Sequence, residues 1–249
     1  PWSMALDLRA LLLYDREWVR LAMTACVAGP EKGRPRGVFI TFEGIEGSGK
    51  TSQMALLREF LEGRGLRVQS TREPGGTLIA DMIRNLLLSP QYGGKMVELT
   101  ELFLIEACRA QHVHELIRPA LEAGAILLCD RFSDSTLAYQ GYGRGMERDL
   151  ILSLNHLASG GLCPDLTILL DCPVEVGLRR SWERLHREAN GRAESRFEEE
   201  AVAFHERVRK GYRAIASQDA GRVKVVDGTR CPEVVQEEIR RIVIRHMGL

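Results

Sequence analysis

No stretch of this 249-residue sequence stays apolar for long enough to cross a bilayer. The run Leu11-Leu12-Leu13 is too short for the core of a secretion signal, and Asp15, Arg16 and Glu17 follow it. Asp7, Asp15 and Glu17 also speak against an organellar transit peptide, which is poor in acids. Net charge is missing as well: 34 Lys and Arg face 34 Asp and Glu. That balance argues against a chain built to coat nucleic acid or an anionic membrane, and leaves room only for local basic patches. None of the six cysteines forms a Cys-x-x-Cys pair, so reduced thiols in a cytoplasmic protein are the expectation. Internal repeats and low-complexity tracts are absent too. What is present is a normal globular balance, 45% hydrophobic and 27% charged. The length suits one α/β domain or two small ones with a sizeable core.

The first 36 residues read differently from the rest. Leu8, Leu11, Leu12, Trp18, Val19 and Ala22 lie at helical spacing, and residues 28–36 form a Gly- and Pro-containing linker. Either this stripe packs on the main domain or a partner, or the segment reflects an upstream start codon, with Met23 as a second candidate start. The main domain spans 37–249, where strands alternate with helices. Val38–Phe42, Arg67–Thr71, Ala125–Cys129, Leu166–Leu170 and Val223–Val226 read as strands. Gly49–Leu61, Leu78–Leu88, Glu98–Glu122 and Glu233–Arg245 read as helices. Continuous apolar runs such as Ala125-Ile-Leu-Leu-Cys129 suit parallel strands buried on both faces, so a parallel α/β sheet with right-handed crossovers is predicted.

Between the first strand and the first helix lies Gly44-Ile45-Glu46-Gly47-Ser48-Gly49-Lys50-Thr51, a phosphate-binding loop of the form G-x-x-x-x-G-K-[ST]. Its glycines let backbone N–H groups turn toward phosphate oxygens, and the helix N-terminus adds positive potential. Lys50 supplies a charge to the β- and γ-phosphates, and the Thr51 hydroxyl suits Mg²⁺. This loop implies a nucleoside triphosphate without specifying the acceptor. Asp130-Arg131 and Arg72 sit at the carboxyl ends of strands, where open α/β sheets place their sites. Asp130 can hold Mg²⁺, and the two arginines can each grip a phosphate bidentately.

Thr71-Arg-Glu-Pro-Gly-Gly-Thr77, Asp130-Arg-Phe-Ser-Asp-Ser-Thr-Leu-Ala-Tyr-Gln-Gly141 and Pro164-Asp-Leu-Thr-Ile-Leu-Leu-Asp171 join Phe42-Glu43-Gly44 and the loop in one order. Together they resemble the thymidylate kinases, from Gly37 to about Leu249. The resemblance implies transfer of a phosphoryl group from ATP to dTMP, giving dTDP for dTTP synthesis. It also implies the P-loop kinase fold, a five-stranded parallel sheet flanked by helices with a mobile lid, and a homodimer. ATP, dTMP and Mg²⁺ are the expected ligands; nucleic acid and membrane are not expected partners. By resemblance Arg72 and Arg131 hold the dTMP phosphate. Arg109, Thr136 and Gln140 bond to thymine, and Ile105 stands where the family usually stacks an aromatic ring on the base. Tyr139 lies beside the deoxyribose and disfavours a 2′-hydroxyl, Glu46 lies near the 3′-hydroxyl, and Glu43 is a further metal candidate beside Thr51 and Asp130.

The acceptor of that reaction is already mostly dianionic at neutral pH, since its second pKa is about 6, so no general base is needed. The difficulty is bringing two anions together, which calls for cations around the transferred group. Lys50 and Arg131 supply two. The variable loop positions Ile45, Glu46, Gly47 and Ser48 supply none, so a third is sought in the arginine-rich segment that the resemblance identifies as the lid, about 183–197. Arg192 is the preferred candidate there, with Arg187 and Arg196 as further ATP contacts.

Overall fold

The structure, a computed structural model, describes residues 37–187 and 195–249. Residues 1–36 and Arg192 lie outside the described residues. Five strands form one sheet: β1 (Val38–Glu43), β2 (Val68–Arg72), β3 (Ile126–Asp130), β4 (Leu166–Asp171) and β5 (Val223–Asp227). Their order is β2-β3-β1-β4-β5, and every neighbouring pair is parallel. The predicted α/β sheet of five parallel strands is therefore present.

Parallel strands need crossovers, and helices supply them on both faces. They are α1 (Lys50–Glu62), α2 (Leu78–Leu88), α3 (Glu98–His112), α4 (Arg118–Glu122), α5 (Ser133–Thr136), α6 (Arg148–Ser159), α7 (Val174–Arg187), α8 (Val202–Gln218) and α9 (Pro232–Met247). Ile40 and Phe42 of β1 pack with Leu57 and Leu61 of α1 and Ile239 and Val243 of α9. Phe39, one residue out of phase, packs instead with Ile117, Leu121, Leu127 and Phe132. The strand thus buries alternate residues in two different cores, which is why it reads as a continuous apolar run. A third core, under α8, contains Tyr139, Phe204, Val208 and Tyr212.

Two local features depart from the expectation. The single helix predicted over Glu98–Glu122 is interrupted by a widened, π-type turn at Val113–Ile117, where the Arg118 N–H bonds to Val113 O. Pro119 follows at once and has no N–H to give, so the regular ladder cannot pass through it. A second widened turn, Leu137–Gly143, continues α5 and carries Tyr139 and Gln140. Four helices that the sequence pattern leaves unassigned, α5, α6, α7 and α8, complete the layers. The expectation of reduced thiols holds for Cys108, Cys129, Cys172 and Cys231, but Cys163 is disulfide-bonded. Among the described residues no helix is long and apolar enough to cross a membrane.

Leu57 is fully buried between α1 and the sheet. Leu57→Ala is expected to cost about 2–5 kcal/mol of stability, read as a lower urea midpoint with an unchanged slope.

Candidate active site

The strand register brings the site together before any side chain is considered. Phe42 of β1 and Arg72 of β2 both pair with Asp130 of β3, so three strands end at one level. β1 also marks the point where successive connections run to opposite sides of the sheet, and there the crevice opens. A cleft of about 1000 Å³ occupies it. The phosphate loop lines one side, and Arg72, Ile105, Arg109, Arg131, Thr136, Tyr139 and Gln140 line the other.

Three glycines give the loop its path, with φ of 137° at Gly44, 66° at Gly47 and 100° at Gly49. Gly47 is doubly constrained, because a Cβ there would lie 2.0 Å from Gly177 O of α7. Lys50 folds back over this loop and donates to Gly44 O at 3.0 Å and Ile45 O at 2.8 Å. Burial lowers the pKa of its ammonium to about 8, Arg131 adds to the effect, and Asp130, Glu46 and Glu43 oppose it. The cation is thus parked on weak acceptors, available to phosphate oxygens.

Thr51 Oγ1 donates to Asp130 Oδ2 at 2.7 Å. A hydroxyl and one carboxylate, both hard oxygen donors, fit Mg²⁺, which takes few protein ligands and fills its octahedron with water and phosphate oxygens. No group of three or more His, Cys, Asp or Glu side chains placed to hold a metal ion occurs among the described residues. Glu43 does not line the cleft with them. Its two oxygens accept from Phe132 N, Ser135 Oγ and Tyr212 OH in the interior. Burial, reinforced by Asp134, pushes its pKa up to about 7.

From across the cleft two side chains reach the loop: Arg131 Nη2 donates to Glu46 Oε1 at 3.1 Å, and Tyr139 OH donates to the same oxygen at 2.5 Å. His205 Nδ1 lies 3.2 Å from Glu46 Oε2. Burial alone would raise the Glu46 pKa, but His205, Arg131 and Lys50 outweigh it and hold the carboxyl well below its usual range. Arg109 is fully enclosed: it donates to Glu73, Glu106, Asn155 and Thr136. Gln140 Nε2 donates to Glu101, while its buried Oε1 has no partner among the described residues. Arg72 stays half-exposed on Asp81. Arg187 borders the cleft from the end of α7, with Nε on Glu183 O at 3.1 Å.

Arg196 is not at the cleft with these residues. Its guanidinium donates to Glu101 and to Leu87 O and is buried. The buried Glu101 carboxylate needs cations, and Arg196 joins Arg144 in supplying them. Glu73, Ser135 and Glu198 also line the cleft with no role expected of them from sequence, and Arg180 and Arg184, expected only as members of the basic lid segment, line it too. For Arg180 and Arg184 the signal was there, one turn apart on a basic helix face. For Glu73, inside a family-specific segment, it was legible only as motif.

A family model described as thymidylate kinase matches residues 42–239. The chain belongs to the thymidylate kinase family. It is 52% identical to thymidylate kinase of Desulfovibrio desulfuricans over 203 residues, covering 82% of this chain and 93% of the relative. It is 55% identical to thymidylate kinase of Geotalea daltonii over 192 residues, covering 77% and 89% respectively. The crystal structure of thymidylate kinase from Ehrlichia chaffeensis superposes with a TM-score of 0.66 at 36% identity, covering 84% of this chain and 99% of that one. The chain is accordingly a nucleoside monophosphate kinase, a transferase that uses ATP.

Lys50 provides a pH test of the site. Its ammonium is charged below about 8 in the free protein. Bound phosphates favour the charged form and raise that pKa, so ATP binding near this pH draws a proton from solvent. ATP affinity is therefore expected to fall as pH rises through about 8. Calorimetry in buffers of different ionisation enthalpy should show proton uptake in the unaltered protein and none in Lys50→Met.

Proposed function

We propose a residue-level account of how this kinase converts ATP and dTMP to ADP and dTDP. A dTMP phosphate oxygen attacks the γ-phosphorus of ATP, the bond to the β-bridging oxygen breaks, and ADP leaves. Lys50 neutralises the β- and γ-oxygens, and Arg131 and Arg72 hold the acceptor phosphate. Thr51 and Asp130 would hold Mg²⁺, which would offset the charge of the transferred phosphates. Ile105, Arg109, Thr136 and Gln140 receive the base, the free Gln140 Oε1 suiting the thymine N3–H. Glu46 and Tyr139 border the sugar, Tyr139 filling the space that a 2′-hydroxyl would need. Glu43 acts from the interior and takes no part as a metal ligand. A further cation over the transferred group is assigned to Arg192, and Arg187 is assigned as a further ATP contact.

The observation that supports this account is the Glu46–Arg131 pair, which joins the phosphate loop to the arginine at the end of β3 at one cleft. An ADP-release assay across dTMP, dUMP, dCMP, dGMP and thymidine tests it, with dTMP expected to be the preferred acceptor. Preference for dUMP would reassign the base contacts at Ile105. Lys50→Ala should lower kcat at least about a hundredfold without unfolding, the scale of one lost transition-state contact. Near-normal turnover in folded Lys50→Ala would remove the loop from the mechanism.

A second copy of the chain is proposed to cover the apolar face of α2 and α3. Leu78 and Met82 on α2 are 80% and 66% exposed, and Leu99 and Phe103 on α3 are 46% and 53% exposed. Each pair is one turn apart, and the two helices pack side by side, so the stripe is continuous. Met82→Glu should convert a dimer to monomers in sedimentation velocity. A dimer that persists at unchanged affinity moves the interface elsewhere.

A further inference from the structure

Arg131 is held in a way that its own loop does not explain. Its φ is 71°, a region that residues with side chains rarely enter. The backbone is tied by the Arg131 N–H, which donates to Phe42 O at 2.9 Å. The side chain is tied separately. Nη1 donates to Tyr212 OH at 3.0 Å and to Ser135 Oγ at 3.2 Å. Those two hydroxyls each donate onward to one atom, Glu43 Oε2, at 2.9 Å and 2.6 Å. The two hydroxyl oxygens also lie 2.7 Å apart. A hydroxyl has a single hydrogen, and whether it points to Glu43 or to the neighbouring hydroxyl, each oxygen keeps a lone pair for Arg131 Nη1. Glu43 and Arg131 are thereby joined through two neutral groups rather than by direct contact.

Tyr212 belongs to α8, far along the chain from Arg131, and it does not line the cleft. Only 3% of it is exposed, so water does not compete for its hydroxyl. Its ring is fixed as well, edge-on to Tyr139 with centroids 6.2 Å apart. Tyr139 in turn lies under the Arg131 guanidinium, 4.9 Å from its carbon. Nη1 is thus anchored from behind, while Nη2 reaches Glu46 at the cleft surface.

We propose that Tyr212 is a positioning residue for dTMP: its hydroxyl, with that of Ser135, anchors Arg131 Nη1 to Glu43, so that the Nη2 edge meets the substrate phosphate. This rests on the reading of Arg131 as a dTMP-phosphate ligand. An unanchored arginine would reach the same phosphate only after losing the freedom of its long side chain. ATP, on the far side of the cleft, gains nothing from the anchor. The hydroxyl therefore acts on one substrate only.

The test is a cycle of Tyr212→Phe, Arg131→Ala and the double variant, with dTMP affinity by calorimetry and KM for both substrates. Phenylalanine keeps the ring packing and removes only the hydroxyl. Tyr212→Phe is expected to weaken dTMP about tenfold, the scale of one hydrogen bond to a charged group. KM for ATP should stay within about twofold, and the loss should vanish in the Arg131→Ala background. Equal weakening of ATP and dTMP, an unchanged dTMP affinity, or the same loss with and without Arg131 would each overturn the positioning role. If Arg131→Ala itself leaves dTMP affinity unchanged, the reading of Arg131 falls and the proposal falls with it. If Arg131→Ala costs affinity and Tyr212→Phe does not, only the proposal falls. Should Tyr212→Phe not fold, Ser135→Ala removes the other acceptor of the same Nη1 and is read against the same outcomes.

Discussion

Parallel pairing of β1 with β3 on one side and β4 on the other is the constraint on which the rest of the molecule depends. Parallel strands cannot be joined by tight turns, so each connection must cross the sheet and cover a face. Every carboxyl end then lies at the same edge, and β1 is the strand from which the connections diverge. The phosphate loop, Arg72 and the Asp130-Arg131 pair therefore meet although no two of these three segments are adjacent in sequence. The buried faces of Ile40, Phe42 and Phe39 hold the strand ends in register beneath them.

At that edge the chemistry imposes a second constraint. A site for two polyanions must collect cations, and in the absence of ligand those cations need partners weak enough to be exchanged. Lys50 rests on backbone carbonyls and Arg72 on an exposed carboxylate, and both can let go. Arg109 is different. Enclosed by Glu73 and Glu106, it is a fixed element, and releasing it would leave buried carboxylates without their counter-charge. Arg131 is intermediate, with one nitrogen anchored in the interior and the other at the cleft. The cations of the cleft thus range from exchangeable, at Lys50 and Arg72, to fixed, at Arg109.

Much of this was legible in the residues. Strands buried on both faces appear as apolar runs because neither face admits a polar residue, and all five were placed to within about two residues. The phosphate loop was legible because its glycines have no substitute at left-handed φ. The widened turns at Val113–Ile117 and Leu137–Gly143 were not, since a π-type turn has no periodicity of its own. Arg196 was drawn toward ATP by its place in a basic segment, whereas the structure commits it to Glu101, a partner nearly a hundred residues away. Helix α8 was overlooked, and with it His205 and Tyr212, because its polar face masks its apolar stripe.

The sequence by itself determined the sheet, the loop, the family and the kinds of side chain the cleft would hold. These follow from local rules: backbone conformations open only to glycine, apolar runs that must be buried, and residue types suited to phosphate. The tertiary structure decided which arginine faces the cleft and which is held in the core, that Glu43 accepts three interior hydrogen bonds, and that a tyrosine from α8 stands behind Arg131. Those outcomes depend on which charges the packing brings within a few ångströms of one another after burial has weakened the screening between them, and spacing along the chain does not encode that distance.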